Sequence, residues 1–152
     1  MTSKQILYFL PLLGWMGVIF YLSAQPAEQS SELSTGIMHV LLQFMENIVI
    51  VDEGFFHHVL RKGAHLSAYL LLGILTMFAL EHRIVRNKVQ ISISFLIGVL
   101  YAVSDEVHQL FVPGRSGEIA DVGIDSIGVL LGILIYLLIK KIFHKVSTKK
   151  DV

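Results

Sequence analysis

Cysteine is absent, so neither a disulfide framework nor a thiolate metal site is available to this chain. Charge is scarce as well: 16% of the residues are Asp, Glu, Lys or Arg, against about 25% in an ordinary soluble domain. No HExxH zinc-protease helix and no GxSxG nucleophile turn occurs in the sequence, which removes two of the most legible hydrolase signatures. What is present is apolar. Of the 152 residues 54% are hydrophobic, and they come in blocks without the alternation that marks a strand.

Four uncharged runs stand out, at residues 5–27, 63–80, 89–104 and 126–139. A hydrocarbon layer of about 30 Å needs about 20 residues of helix, and only helices or closed barrels satisfy their backbone groups inside it. The expected fold is therefore all-α: one polytopic membrane domain over residues 1–152 with four transmembrane helices. Their approximate bounds are 6–24, 63–81, 89–110 and 119–139, followed by a basic tail at 140–152. The start MTSK before the first run has the layout of a signal peptide. Leu22, however, takes the −3 position that cleavage after Ala24 would need small, so an uncleaved first span is expected.

The formal net charge is zero, yet the signs are segregated. Lys4, then Arg83, Arg86 and Lys88, then the tail KKIFHKVSTKK lie on one side of an even arrangement of spans. By the positive-inside rule that side is the cytoplasm, and both termini are expected there. The remaining basic residues, Arg61, Lys62 and Arg115, fall in two connections dominated by acids. A basic tail directly after a span fits anionic lipid and not nucleic acid.

The third and fourth runs hold 16 and 14 residues, about 24 and 21 Å of helix, too short to cross alone. To span, the third helix must continue through Asp105 to about Leu110, and the fourth must start near Ile119 and carry Asp121 and Asp125 inward. Charged groups placed so usually face one another or a wet cavity. Helical spacing then puts Asp105, His108 and Gln109 on one face, with Glu106 adjacent, and Arg61, His65 and Tyr69 on another, with Lys62 alongside. Asp121 and Asp125 share a stripe with Gly128 and Gly132, a GxxxG pair that permits close helix approach and helix packing, or a homodimer. The VPGRSGE linker reads as a turn with Arg115 at its apex. Trp15 reads as lipid packing. The long connection between the first two spans keeps a helical period at Ile37, Leu41, Phe44 and Ile48, and is expected to form an interfacial amphipathic helix.

The ordered set is FYLSAQP at 20–26, RKxxHxxxY at Arg61, Lys62, His65 and Tyr69, DExxQ at Asp105, Glu106 and Gln109, then Gly114, Arg115, Asp121, Asp125 and Gly128. Together these resemble the VanZ-like family, named for a teicoplanin-resistance protein. The resemblance runs from about residue 14 to 135. It implies a small multi-pass protein of the bacterial cell membrane, linked in its founding member to teicoplanin resistance. Asp125 stands where the family often has Asn, which adds a negative charge.

The leading functional reading is a binding module: a polar pocket at the outer face holding a lipid headgroup, a lipid-linked precursor or a glycopeptide. Its ligand-binding set is Arg61, Lys62, His65, Tyr69, Asp105, Glu106, His108, Gln109, Arg115, Asp121 and Asp125. Alternatives are a membrane enzyme using the Asp/Glu/His cluster on an envelope precursor, a proton-coupled carrier, and an ion-pair network that only locks helices together. Catalytic residues are not assignable. His57, His58, His65 and His108 are candidates to meet around a metal, but a histidine beside a carboxylate is more often just hydrogen-bonded. No metal or cofactor is expected.

Overall fold

A computed structural model describes residues 7–26, 53–81 and 86–148. These residues form four helices and no strand: α1 (Leu10–Ser23), α2 (Glu53–Glu81), α3 (Asn87–Gln109) and α4 (Ile119–Thr148). The connection expected to be amphipathic lies outside the described residues, as does Lys4.

The two helices with short uncharged runs extend past them. α3 reaches Gln109 and α4 begins at Ile119, so Asp105, Glu106, Asp121 and Asp125 are all helical. α2 starts ten positions before the apolar run, because charged and aromatic residues between Glu53 and Lys62 carry no helix-breaking proline. α2, α3 and α4 are each long and apolar enough to cross a membrane, whereas α1 is a shorter apolar helix of 14 residues. Pro11 sits in its first turn, where the missing N–H costs nothing.

The broadest interface joins α2 to α4. A Cβ on Gly128 would stand 2.5 Å from the Leu66 carbonyl oxygen, and one on Gly132 would collide with the Leu70 carbonyl. Gly73 receives the Val129 backbone in return. The small-residue stripe thus serves helix packing within this chain. Tyr69, Leu72, Met77, Val129 and Ile133 fill the contact, with Ala102 from α3 and Leu12 and Ile19 from α1. Outward positions such as Leu96, Leu100, Leu130, Leu134 and Leu138 are exposed and apolar, a surface suited to lipid chains.

Val112, Pro113, Gly114 and Arg115 turn the chain from α3 to α4. The Arg115 N–H donates to the Val112 carbonyl at 3.1 Å, and Gly114 has φ 76°. Pro at the second and Gly at the third position is the pattern of a type II turn, whose third residue needs positive φ.

Candidate functional site

One end of the bundle gathers the charge. On α2, Lys62 donates to Asp121 of α4 and, at 3.3 Å, to Glu118 just before α4. The Arg61 guanidinium is 3.5 Å from Glu118 and 3.8 Å from Asp121. One turn deeper, His65 Nδ1 is 3.5 Å from Asp125 Oδ1. These pairings follow from register: residues four apart on α2 oppose residues four apart on α4.

α3 contributes a second layer. Gln109 Nε2 donates to Asp105 Oδ2 and to Glu106 Oε1, both at 3.2 Å. Glu106 Oε2 accepts the Glu118 N–H at 2.8 Å and so caps the start of α4, where the helix leaves N–H groups without internal partners. Asp105, Glu106, Gln109, Asp121 and Asp125 are all buried.

Arg115 folds back from the turn onto the end of α1. Its Nε donates to the Gln25 carbonyl at 2.9 Å and its terminal nitrogen to the Leu22 carbonyl at 3.3 Å, groups that a helix C-terminus leaves open. Burial lowers the pKa of this guanidinium below its ordinary value, and the nearby positive charge of Arg61 lowers it further, while Asp105 and Glu106 act the other way. Two guanidiniums therefore repel each other at this spot.

Between α1, α2 and the turn lies a cavity of about 280 Å³, whose polar lining residues include Arg61, His65, Tyr69, Asp105 and Arg115. Its apolar lining residues include Trp15, Val18, Ile19, Leu60 and Ala68. Ser23 Oγ, Tyr69 OH and Asp105 Oδ1 belong to lining residues, are buried, and have no hydrogen-bond partner among the described residues.

The expected ligand set thus divides. Arg61, His65, Tyr69, Asp105 and Arg115 line the cavity; Lys62, Glu106, Gln109, Asp121 and Asp125 form the network behind it. His108 joins neither, stacking on Phe20 of α1 with ring centroids 4.4 Å apart. Positions i+3 and i+4 diverge by 100° around a helix, so His108 and Gln109 flank Asp105 on opposite sides. The His57 side chain lies outside the described residues. Trp15 does more than meet lipid, since its Nε1 donates to the Ala68 carbonyl at 2.9 Å. Glu118 belongs to the site, although its place in the linker gave it no helical register.

Residues 8–140 match the family described as VanZ/LLP1. The chain belongs to the VanZ/LLP1 family. No curated protein and no solved structure matches it. As a VanZ/LLP1 member with three helices capable of crossing a bilayer it is a membrane protein. The matched region takes in all four helices except the last residues of α4, and so contains every residue of the charged end described above.

Proposed function

We propose that this VanZ/LLP1 protein is a four-span protein of the bacterial cell membrane, with both termini cytoplasmic and an interfacial helix between its first two spans. It binds the anionic headgroup of an envelope amphiphile, such as a lipid-linked precursor, at its outer face. By holding such a molecule, or a glycopeptide directed at it, the protein contributes to teicoplanin-type resistance.

The observation that carries the binding reading is the pair Arg61 and Arg115 lining the same cavity, where the charge of Arg61 adds to the cost of charging Arg115. A bound phosphate relieves that repulsion and accepts planar, paired hydrogen bonds from guanidinium. The apolar lining residues Trp15, Val18, Ile19 and Leu60 suit the first segment of an acyl or polyprenyl chain. Ser23 Oγ and Tyr69 OH supply spare hydrogen-bonding capacity for the rest of a headgroup.

Arg61 offers the cleaner test, because Lys62 also serves both of its carboxylate partners. Purified protein in nanodiscs is titrated with undecaprenyl phosphate, phosphatidylglycerol and teicoplanin. Arg61→Gln is expected to weaken the binding of the anionic lipid by about tenfold or more, the worth of one charge-assisted contact, with little change in thermal stability. Equal affinity in wild type and variant would sink the reading.

A further inference from the structure

We propose that His65, Glu106 and Asp125 form a binding site for one divalent transition-metal cation, of the zinc or manganese type, behind the wall of the cavity. One ligand atom from each lies within 4.8 Å of the others. Two ligands on one such ion stand up to about 4.4 Å apart at metal–ligand bonds of about 2.0–2.2 Å, so small side-chain rotations complete the site. Imidazole with carboxylate oxygens suits borderline transition cations, whereas magnesium and calcium prefer oxygen alone. The residues come from three different helices, so no linear spacing motif announces them.

A second observation points to the same place. Asp125 is fully buried, and neither of its oxygens accepts a hydrogen bond from any described residue. His65, at 3.5 Å, is its ion-pair partner only when protonated. Buried carboxylates are otherwise paired, hydrogen-bonded or metal-bound. The cations of this end are already engaged: Lys62 and Arg61 with Glu118 and Asp121, and Arg115 with two backbone carbonyls. Asp105, Glu106, Glu118, Asp121 and Asp125 against Arg61, Lys62 and Arg115 leave two negative charges over, which one dication neutralises. Three protein ligands leave coordination positions open, and His65 also lines the cavity, so the ion sits at the cavity wall.

The site can be tested without lipid, with metal alone. Full-length protein without a histidine tag is stripped with chelator, dialysed against zinc, manganese or magnesium, and assayed for bound metal. The expected result is one zinc or manganese per chain, little magnesium, and a rise in Tm on reloading. Asp125→Asn strands no hydrogen-bond donor, and His65→Gln keeps a polar side chain of similar reach; both are expected to weaken zinc by more than about 100-fold. Cobalt reloading of the wild type adds a readout that needs no variant: visible d–d absorption that zinc abolishes. Wild type that retains no transition metal, or metal retained equally by both folded variants at other histidines, would overturn the proposal.

Discussion

The two ends of the helix bundle treat charge in opposite ways. At one end Glu81 of α2 accepts from Lys140 Nζ at 2.6 Å and from the Tyr136 hydroxyl, both on α4. The buried Gln90 amide of α3 donates to the Met77 carbonyl at 2.8 Å. Donor and acceptor come together there, and the charged pair Glu81 and Lys140 sits partly in the open. At the other end carboxylates outnumber cations, several are buried, and polar atoms of Ser23, Tyr69, Asp105 and Asp125 lack partners among the described residues. A network that served only to fasten helices would look like the Glu81 end. Leaving buried oxygens unsatisfied costs about 1–3 kcal/mol each, and that cost at this end is what favours the proposed binding reading over a purely structural one.

The largest effect is expected where the charged end does its structural work. Lys62 is the shared partner of Asp121 and Glu118, with the Asp121 side chain 6% exposed. Lys62→Met keeps the apolar stem but removes the nearer cation, leaving buried Asp121 only the longer pairing with Arg61 at 3.8 Å. Breaking a buried pair from one side costs about 3–5 kcal/mol, so membrane abundance and thermal stability should both fall sharply. A variant as stable as wild type would erase the distinction between a fastened rim and an unfastened interior.

Asp105 belongs to that interior and should respond with the opposite sign. It is 3% exposed, one oxygen accepts from Gln109, and the other has no partner among the described residues. Asp105→Asn removes a buried charge without stranding a cation within ion-pair distance. Thermal stability is expected to hold or to rise by about 2–4 °C, the equivalent of roughly 1 kcal/mol, while affinity for the headgroup changes. A fall comparable to that of Lys62→Met would mean that Asp105 fastens helices after all.

Much of this arrangement was legible because helices obey length and register. The shortness of the uncharged runs at 89–104 and 126–139 required the acids to enter the helices, and α3 and α4 do extend that far. Fourfold spacing set Arg61, His65 and Tyr69 in one row, and all three line the cavity. Register says nothing about which neighbour a side chain meets. That is why His108 could be grouped with Asp105 when it stacks on Phe20 instead, and why Trp15 could pass for a lipid contact. Glu118 lay hidden because a residue just outside a helix has no face to be assigned to. The link from Glu81 to Tyr136 and Lys140 joins positions far apart in sequence, and no periodicity predicts it. The meeting of His65, Glu106 and Asp125 was invisible for the same reason: three helices must first be packed before their inner faces share a point.

The smallest effect sharpens the comparison from its quiet side. Glu81 has a side chain 28% exposed and Lys140 one 45% exposed, so water screens their attraction and shares in solvating both. Exposed pairs of this kind contribute about 0–1 kcal/mol. Glu81→Gln keeps an acceptor for the Tyr136 hydroxyl and for the lysine, losing only the charge. Tm should move by no more than a few degrees, and both the affinity for anionic lipid and the retention of zinc should match wild type, since the substitution lies at the far end of α2 from Arg61 and His65. A loss of lipid or metal binding in a variant that remains folded would show the two ends to be coupled through α2 and α4. The polar end could then no longer be treated as a site whose chemistry is its own.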